Sequence, residues 1–211
     1  VPVSGGGRLV VVATPIGNLG DLSERAAAAL READVIACED TRRTAVLARH
    51  VGAHGRLLSV HQHREGERAE TVREHVAAGR SVALVSDAGA PAVSDPGARV
   101  VAAVLDAGLP VEVVPGPSAV TAALAAAGLP ADRFVFLGFL PRKASERADL
   151  WDRVDALGWT AVALESPQRI ASALAELADR DADRTVVVCR ELSKLHEEII
   201  RGSAAEVAAL P

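Results

Sequence analysis

Cysteine occurs only twice, at Cys38 and Cys189, with neither metal-like nor disulfide-framework spacing. A disulfide scaffold is thereby excluded, and a reducing cytoplasm is the expected compartment. No apolar run approaches the length needed to cross a bilayer. The short Gly-rich start, Val1 to Gly7, lacks the apolar stretch of a secretory signal. Lysine is nearly missing: Lys143 and Lys194 stand alone among 23 basic residues, the other 21 being arginine. Arginine suits bidentate phosphate recognition, although an Ala- and Arg-rich chain equally reflects biased codon usage. The net charge of −5 excludes a generally basic nucleic-acid coat but leaves room for a local basic patch. No GxxxxGK(S/T) is present, which removes a P-loop, and Gly17 and Gly20 after Pro15 do not make the GxGxxG of a dinucleotide site.

What is there is a series of apolar runs, three of them ending in a Gly/Pro loop before a helix. With 211 residues, 49% of them apolar, one large or two small domains are expected. The organising stretch runs from Val85 to Gly97, after a strand formed by Ser81 to Val85 and before a helix starting near Pro96 and ending at Gly108. Asp95 as N-cap and Pro96 at the first helical position account for its end. They do not account for Ser86 to Pro91, where Ala88, Gly89, Ala90 and Pro91 are too small to fill a core and let a ligand approach the backbone. Open α/β sheets bind ligands at the carboxyl ends of their strands.

Earlier in the chain, Leu9 to Ala13 reads as a buried strand ending in Thr14 to Asp21, with Asp21 and Glu24 as a capping box for a helix over Leu22 to Ala33. Val35 to Cys38 is a second strand. The following Glu39-Asp40-Thr41-Arg42-Arg43 reads either as a site or as a helix start with charge pairs. Leu57 to Val60 is a third strand; His61 and His63 follow it without a Cys, Asp or Glu to complete a ligand set, so no metal is expected. Glu67 to Ala78 forms a helix closed by Gly79, and Val111 to Val114 is a fifth strand, ending in Pro115-Gly116-Pro117-Ser118-Ala119 before a helix over Ser118 to Ala127. Alternating strands and helices without hairpin signals predict an α/β fold with a parallel, doubly wound sheet and right-handed crossovers for residues 1–117.

Residues 118–211 form a second α/β domain with a partly mixed sheet, the change falling between Pro117 and Pro130. Its expected strands are Phe134 to Leu137, Thr160 to Leu164, Arg184 to Val188 and an antiparallel His196 to Arg201; its helices are Ser145 to Leu157, one reaching Leu177, and Ser203 to Leu210.

Taken together, Thr14-Pro15-Ile16-Gly17-Asn18-Leu19, Glu39-Asp40-Thr41-Arg42, Ser86 to Pro91 with Ser94 to Gly97, Pro115 to Ala119, Gly138-Phe139-Leu140-Pro141 and Arg190-Glu191-Leu192-Ser193-Lys194 form an ordered set. It resembles that of the RsmI family, the ribosomal small subunit RNA (cytidine-2′-O-)-methyltransferases of the tetrapyrrole methylase superfamily. The resemblance spans nearly the whole chain. It implies a two-domain fold, S-adenosylmethionine held in the cleft between the domains, and a homodimer. By the same resemblance, Pro15, Ile16, Gly17 and Asn18, Asp87, Ala88, Gly89, Ala90, Pro91 and Val93, Ser118 and Ala119, and Leu164, Glu165 and Ser166 line the cofactor pocket. Two departures point to weaker cofactor binding: Ala90 stands where the family commonly has Thr, and Pro211 comes before the Gly-Glu-initiated strand that usually follows.

Methyl transfer from a sulfonium is an in-line displacement that chiefly demands placement of the acceptor, and a weakly acidic ribose hydroxyl benefits from a nearby base. The loop residues Glu39, Asp40, Arg42, Arg142, Lys143, Arg190, Glu191 and Lys194 are candidates near the acceptor, each with an ion-pair role as the alternative. Arg42, Arg43, Arg142, Lys143 and Arg169 are the expected phosphate contacts with small-subunit ribosomal RNA. Two other functions remain open: methylation of a porphyrin-like ring carbon, and a non-catalytic ribosome-binding homologue.

Overall fold

A computed structural model of the chain describes residues 6–61 and 65–210. The histidine pair is thus split, because His63 lies outside the described residues, as do most of the Gly-rich start and Pro211. The chain forms two compact units, Val1–Ser118 and Ala119–Pro211.

In the first unit, strands β1 (Arg8–Val12), β2 (Val35–Cys38), β3 (Arg56–Ser59), β4 (Ser81–Leu84) and β5 (Val111–Val114) build one sheet in the order β3-β2-β4-β1-β5. Every pairing is parallel. All four residues of β2 are buried, as a strand covered on both faces requires. The alternation of side chains divides the core in two. Leu9, Val35, Ala37, Val82 and Leu84 pack with α3 (Glu65–Ala77) and α4 (Ala98–Asp106), while Val10, Val12, Ile36, Cys38 and Ala83 pack with α1 (Glu24–Glu32) and α2 (Thr41–Val51). The chain moves one way along the sheet through α1 and α2 and returns through α3 and α4, so one crossover hand puts these pairs on opposite faces. β1 and β4, adjacent at the centre, send their chains to opposite faces, which makes their carboxyl ends the switch point of the sheet.

Two helix starts differ from the sequence expectation. The cap of α1 is Ser23, whose hydroxyl accepts from the Ala26 N–H at 3.1 Å; Asp21 instead closes a 3₁₀ turn, Leu19–Asp21, capped by Asn18. Helix α4 begins at Ala98, with Gly97 as its N-cap at φ 140° and no capping side chain of its own. Asp95 and Pro96 therefore precede the helix. The capping function passes to Glu65, a buried carboxylate from the first turn of α3, which accepts from the N–H groups of Gly97 and Arg99.

In the second unit α5 (Ala119–Ala127) precedes β6 (Phe134–Phe139), α6 (Ala144–Leu157), β7 (Thr160–Leu164), α7 (Ile170–Arg180), β8 (Thr185–Arg190), β9 (Glu198–Ser203) and α8 (Ala204–Ala208). Both strand senses occur, in separate pairs rather than one continuous sheet: β6-β7 is parallel and β8-β9 antiparallel. A cavity of about 1170 Å³ is lined by β7, β8, α5, α6 and α7. Among the described residues, no helix is long and apolar enough to cross a membrane.

Candidate functional site

Three of the predicted loops leave the carboxyl ends of the neighbouring strands β4, β1 and β5, and the structure ties them together. Thr14 and Gly89 form an isolated antiparallel bridge across the switch point. The Thr14 N–H donates to the Gly89 carbonyl at 2.9 Å, and the Gly89 N–H to the Thr14 carbonyl at 3.0 Å. The Thr14 hydroxyl is buried and donates to the Ser86 carbonyl at 3.2 Å, while the Ser86 hydroxyl donates to the Gly89 carbonyl at 3.1 Å. Gly89 itself is left-handed at φ 78°; a Cβ there would sit 3.5 Å from Ile16 Cγ2 and 3.6 Å from the Pro117 carbonyl oxygen. The Pro15–Asn18 loop, the Asp87–Pro91 loop and Pro117 thus meet around a residue without a side chain. Gly116 sits closer still on Ala13, where a Cβ would meet the Ala13 Cβ at 3.1 Å.

Beyond Pro91, Ala92 and Ser94 hold φ values of 67° and 61°. Left-handed backbone at non-glycine residues costs energy and clusters at functional sites. Sequence reading found the loop but not this strain. Ala92, Val93 and Ser94 are exposed at its crown.

The end of β2 contributes an acidic rim. The Asp40 N–H donates to Asp87 Oδ1 at 3.1 Å, and Arg43 lies 3.6 Å from Asp87 Oδ2. Burial, with the Asp87 and Asp95 charges behind it, pushes the Glu39 carboxyl above its usual range. Asp95 is raised by burial and by Asp87 in the same way. Asp40 goes the other way: hydrogen bonds from Arg42, side chain and backbone, hold it well below the carboxylate range. It caps α2 and binds the Arg42 guanidinium at 2.7 Å, so Glu39 and Asp40 have opposite environments despite being neighbours. His61, on the next strand end, shares a 2.8 Å hydrogen bond with the Ser59 hydroxyl.

In the second unit, Leu164 ends β7, Glu165 and Ser166 follow it, and Ala119 opens α5. The Glu165 side chain is only 4% exposed. Its Oε1 accepts from the Ser166 N–H at 2.7 Å; its Oε2 lies 3.0 Å from Arg169 but off the axis of a hydrogen bond, and has no hydrogen-bond partner. Arg169, expected at phosphate, spends its guanidinium on the Leu140 and Pro141 carbonyls, each at 2.8 Å. Arg190 pairs with Glu198 across the β8-β9 ladder, and Lys194 with Glu191 at 3.0 Å. These three candidates sit at one tight turn, in which Glu191 and Ser193 have φ values of 52° and 67°. Arg142 and Lys143 are exposed, Lys143 pairing with Glu146 at 3.1 Å. Among the described residues no group of three or more His, Cys, Asp or Glu is arranged to hold a metal ion.

Known proteins share this sequence and fold. The model of the Tetrapyrrole (Corrin/Porphyrin) Methylases matches residues 8–208. A ribosomal RNA small subunit methyltransferase I of Neisseria meningitidis serogroup A is 43% identical over 96% of this chain and 69% of its own length. The protein of the same name from Escherichia coli O157:H7 is also 43% identical, over 96% of this chain and 71% of its own. Among solved structures, a diphthine synthase superposes with a TM-score of 0.76 at 16% identity, covering 97% of this chain and 84% of that one. A uroporphyrin-III C-methyltransferase from Thermus thermophilus, complexed with S-adenyl homocysteine, gives a TM-score of 0.65 at 24% identity over 96% and 90% of the two chains. The fold, the six strand-end motifs and these identities agree: the chain belongs to the tetrapyrrole methylases and, within them, to the ribosomal RNA small subunit methyltransferase I family.

Proposed function

We infer that this protein uses S-adenosylmethionine to methylate the 2′-oxygen of a cytidine ribose in small-subunit ribosomal RNA. The observation that carries the acceptor is the 43% identity, over 96% of the chain, to proteins named for methylating that RNA. The cofactor reading is supported by the way the Pro15–Asn18 loop, the Asp87–Pro91 loop and Pro117 converge on Gly89 at the carboxyl ends of the strands. Pro15–Asn18, Asp87–Pro91, Val93 and Ser118 hold it from the first unit; Ala119 and Leu164–Ser166 carry the same expectation in the second. The cofactor supplies a methyl group on a positively charged sulfur. Glu39, Asp87 and Asp95 repel one another at the rim, and a cation relieves that repulsion. Oε2 of Glu165, ion-paired with Arg169 but without a hydrogen bond, is suited to accept one from a hydroxyl or amine.

Glu39, at the end of β2 and with its carboxyl raised by burial and by Asp87, is our candidate for proton removal from the ribose hydroxyl. Arg42, Arg43, Arg142 and Lys143 remain the phosphate contacts. A homodimer and a cytoplasmic location belong to the same reading. The test offers labelled cofactor and the protein to unmethylated small subunits, naked ribosomal RNA and a porphyrinogen. Label on a ribose oxygen of the subunit RNA is the expected result; label on the porphyrinogen alone overturns the function.

A further inference from the structure

Aromatic residues make up 2% of the chain, and among the described ones Phe139 is the most exposed, ahead of Trp159 and Phe134. Phe139 is 60% exposed at the last position of β6. A lone exposed apolar side chain is ordinary on a protein surface, so the exposure by itself says nothing. Its position is built. β6 pairs Phe136 with Val162 and Phe139 with Leu164, so one strand advances three residues while the other advances two. The extra residue is a β-bulge at Gly138, which is left-handed at φ 65°. The bulge brings Phe139, not Gly138, opposite Leu164.

The chain that follows is clamped from below. Arg147 donates to the carbonyls of Pro141 and Arg142 at 2.8 and 2.7 Å, and Arg169 to those of Leu140 and Pro141. Arg147 is itself fixed by Glu176. Four guanidinium-to-carbonyl bonds on three consecutive residues leave the turn little freedom, and its outward side carries Arg142 and Lys143, both exposed. A fixed aromatic face followed within four residues by two cations is the chemistry of single-stranded nucleic acid, which offers a stacking base and flanking phosphates.

We propose that the Phe139–Lys143 turn is a docking point for unpaired RNA: Phe139 stacks on one base, and Arg142 and Lys143 hold the phosphates beside it. The proposal rests on the RNA reading given above and adds to it the single-stranded character of the recognised segment. Lys143 exchanges its partner Glu146 for a phosphate on binding.

The test measures binding of a labelled unpaired RNA twelve-mer and of the same sequence as a duplex, across a salt series. Phe139→Ala, Phe139→Leu, Phe139→Trp and the double variant Arg142→Ala with Lys143→Ala are compared with the unaltered protein, each checked for unchanged thermal midpoint. Phe139→Ala and Phe139→Leu are expected to weaken single-strand binding about tenfold or more, and Phe139→Trp to restore it. The double variant is expected to flatten the salt dependence by about one to two phosphate contacts. Equal binding by Phe139→Leu and the unaltered protein, or equal affinity for duplex and single strand, overturns the proposal. Methyl transfer to small subunits is read in parallel. Transfer with a Phe139→Ala variant that binds RNA normally removes the docking turn and leaves the function standing; Phe139-dependent single-strand binding without transfer does the reverse.

Discussion

A single oxygen of Glu65 accepts hydrogen bonds from both the Gly97 N–H, at 2.8 Å, and the Arg99 N–H, at 3.0 Å. The carboxylate is 8% exposed and belongs to α3, yet it caps the start of α4 and so fixes the far end of the Val85–Gly97 loop. The near end is fixed by the Thr14–Gly89 bridge. Charge-assisted hydrogen bonds of this kind are each worth about 1.5–3 kcal/mol, and a helix cap about 1 kcal/mol. Glu65→Ala is therefore expected to destabilise the first unit by about 2–3 kcal/mol, seen as a lower urea midpoint. Glu65→Gln keeps an accepting oxygen and should lose less than half as much. Equal losses for the two variants would mean that the side chain matters for packing rather than as a cap.

Ala92 and Ser94 are the strained positions between those two anchors. A left-handed non-glycine residue costs roughly 1–2 kcal/mol, and glycine there gives back about 0.5–1 kcal/mol in unfolded-chain entropy. Ala92→Gly and Ser94→Gly should thus stabilise the fold by about 0.5–1 kcal/mol each. Both also loosen the loop, so the affinity for S-adenosylhomocysteine is expected to fall while the thermal midpoint rises. A rise in both would show that the strain has no role in holding the ligand.

The strands were legible because short apolar runs mark them: Val35–Cys38 is buried throughout, and Val111–Val114, at the sheet edge with Val114 buried, ends in Pro115-Gly116. The helix starts were not. Asp95-Pro96 has the local chemistry of a cap, but a carboxylate from another helix already satisfies the orphan N–H groups, and no local pattern reveals a partner 32 residues earlier in the chain. Arg169 misled for the same reason. Its charge is visible in sequence, whereas the carbonyls of Leu140 and Pro141 that absorb it are brought near only by the fold. Phe139 drew no separate notice within its Gly-Phe-Leu-Pro motif because exposure depends on the bulge at Gly138.

The rim carboxylates set a pH dependence whose sign follows from their direction. Glu39 and Asp95 are raised above the ordinary values of 4.5 and 3.8, first by burial and then by neighbouring carboxylates. The native state binds their protons more tightly than the unfolded state. Their contribution is fully present below those ordinary values and is lost as pH rises through the native ones. At neutral pH both carboxylates oppose folding. Glu39→Gln and Asp95→Asn should accordingly raise the thermal midpoint at pH 7.5, with the gain shrinking toward pH 4, while methyl transfer by Glu39→Gln falls. A gain of the same size at both pH values would show that the carboxylates are not strained by charge.

Thr14 offers the most direct check on the switch point, because its hydroxyl can be removed without changing its shape. Thr14→Val keeps the β-branched side chain that suits a strand end, and the backbone bridge to Gly89 needs no side chain. What is lost is the buried donor to the Ser86 carbonyl at 3.2 Å. An unmet buried acceptor costs about 1–3 kcal/mol, and here the cost falls on the segment that orders the cofactor loop. The expected outcome is a loss of about 1–2 kcal/mol in stability and an affinity for S-adenosylhomocysteine reduced about fivefold or more. Thr14→Ser, which restores the donor but removes the methyl, should recover the affinity ahead of the stability. If valine binds as well as threonine and serine binds worse, the methyl rather than the hydroxyl positions the loop, and the hydrogen bond to Ser86 is incidental to the site.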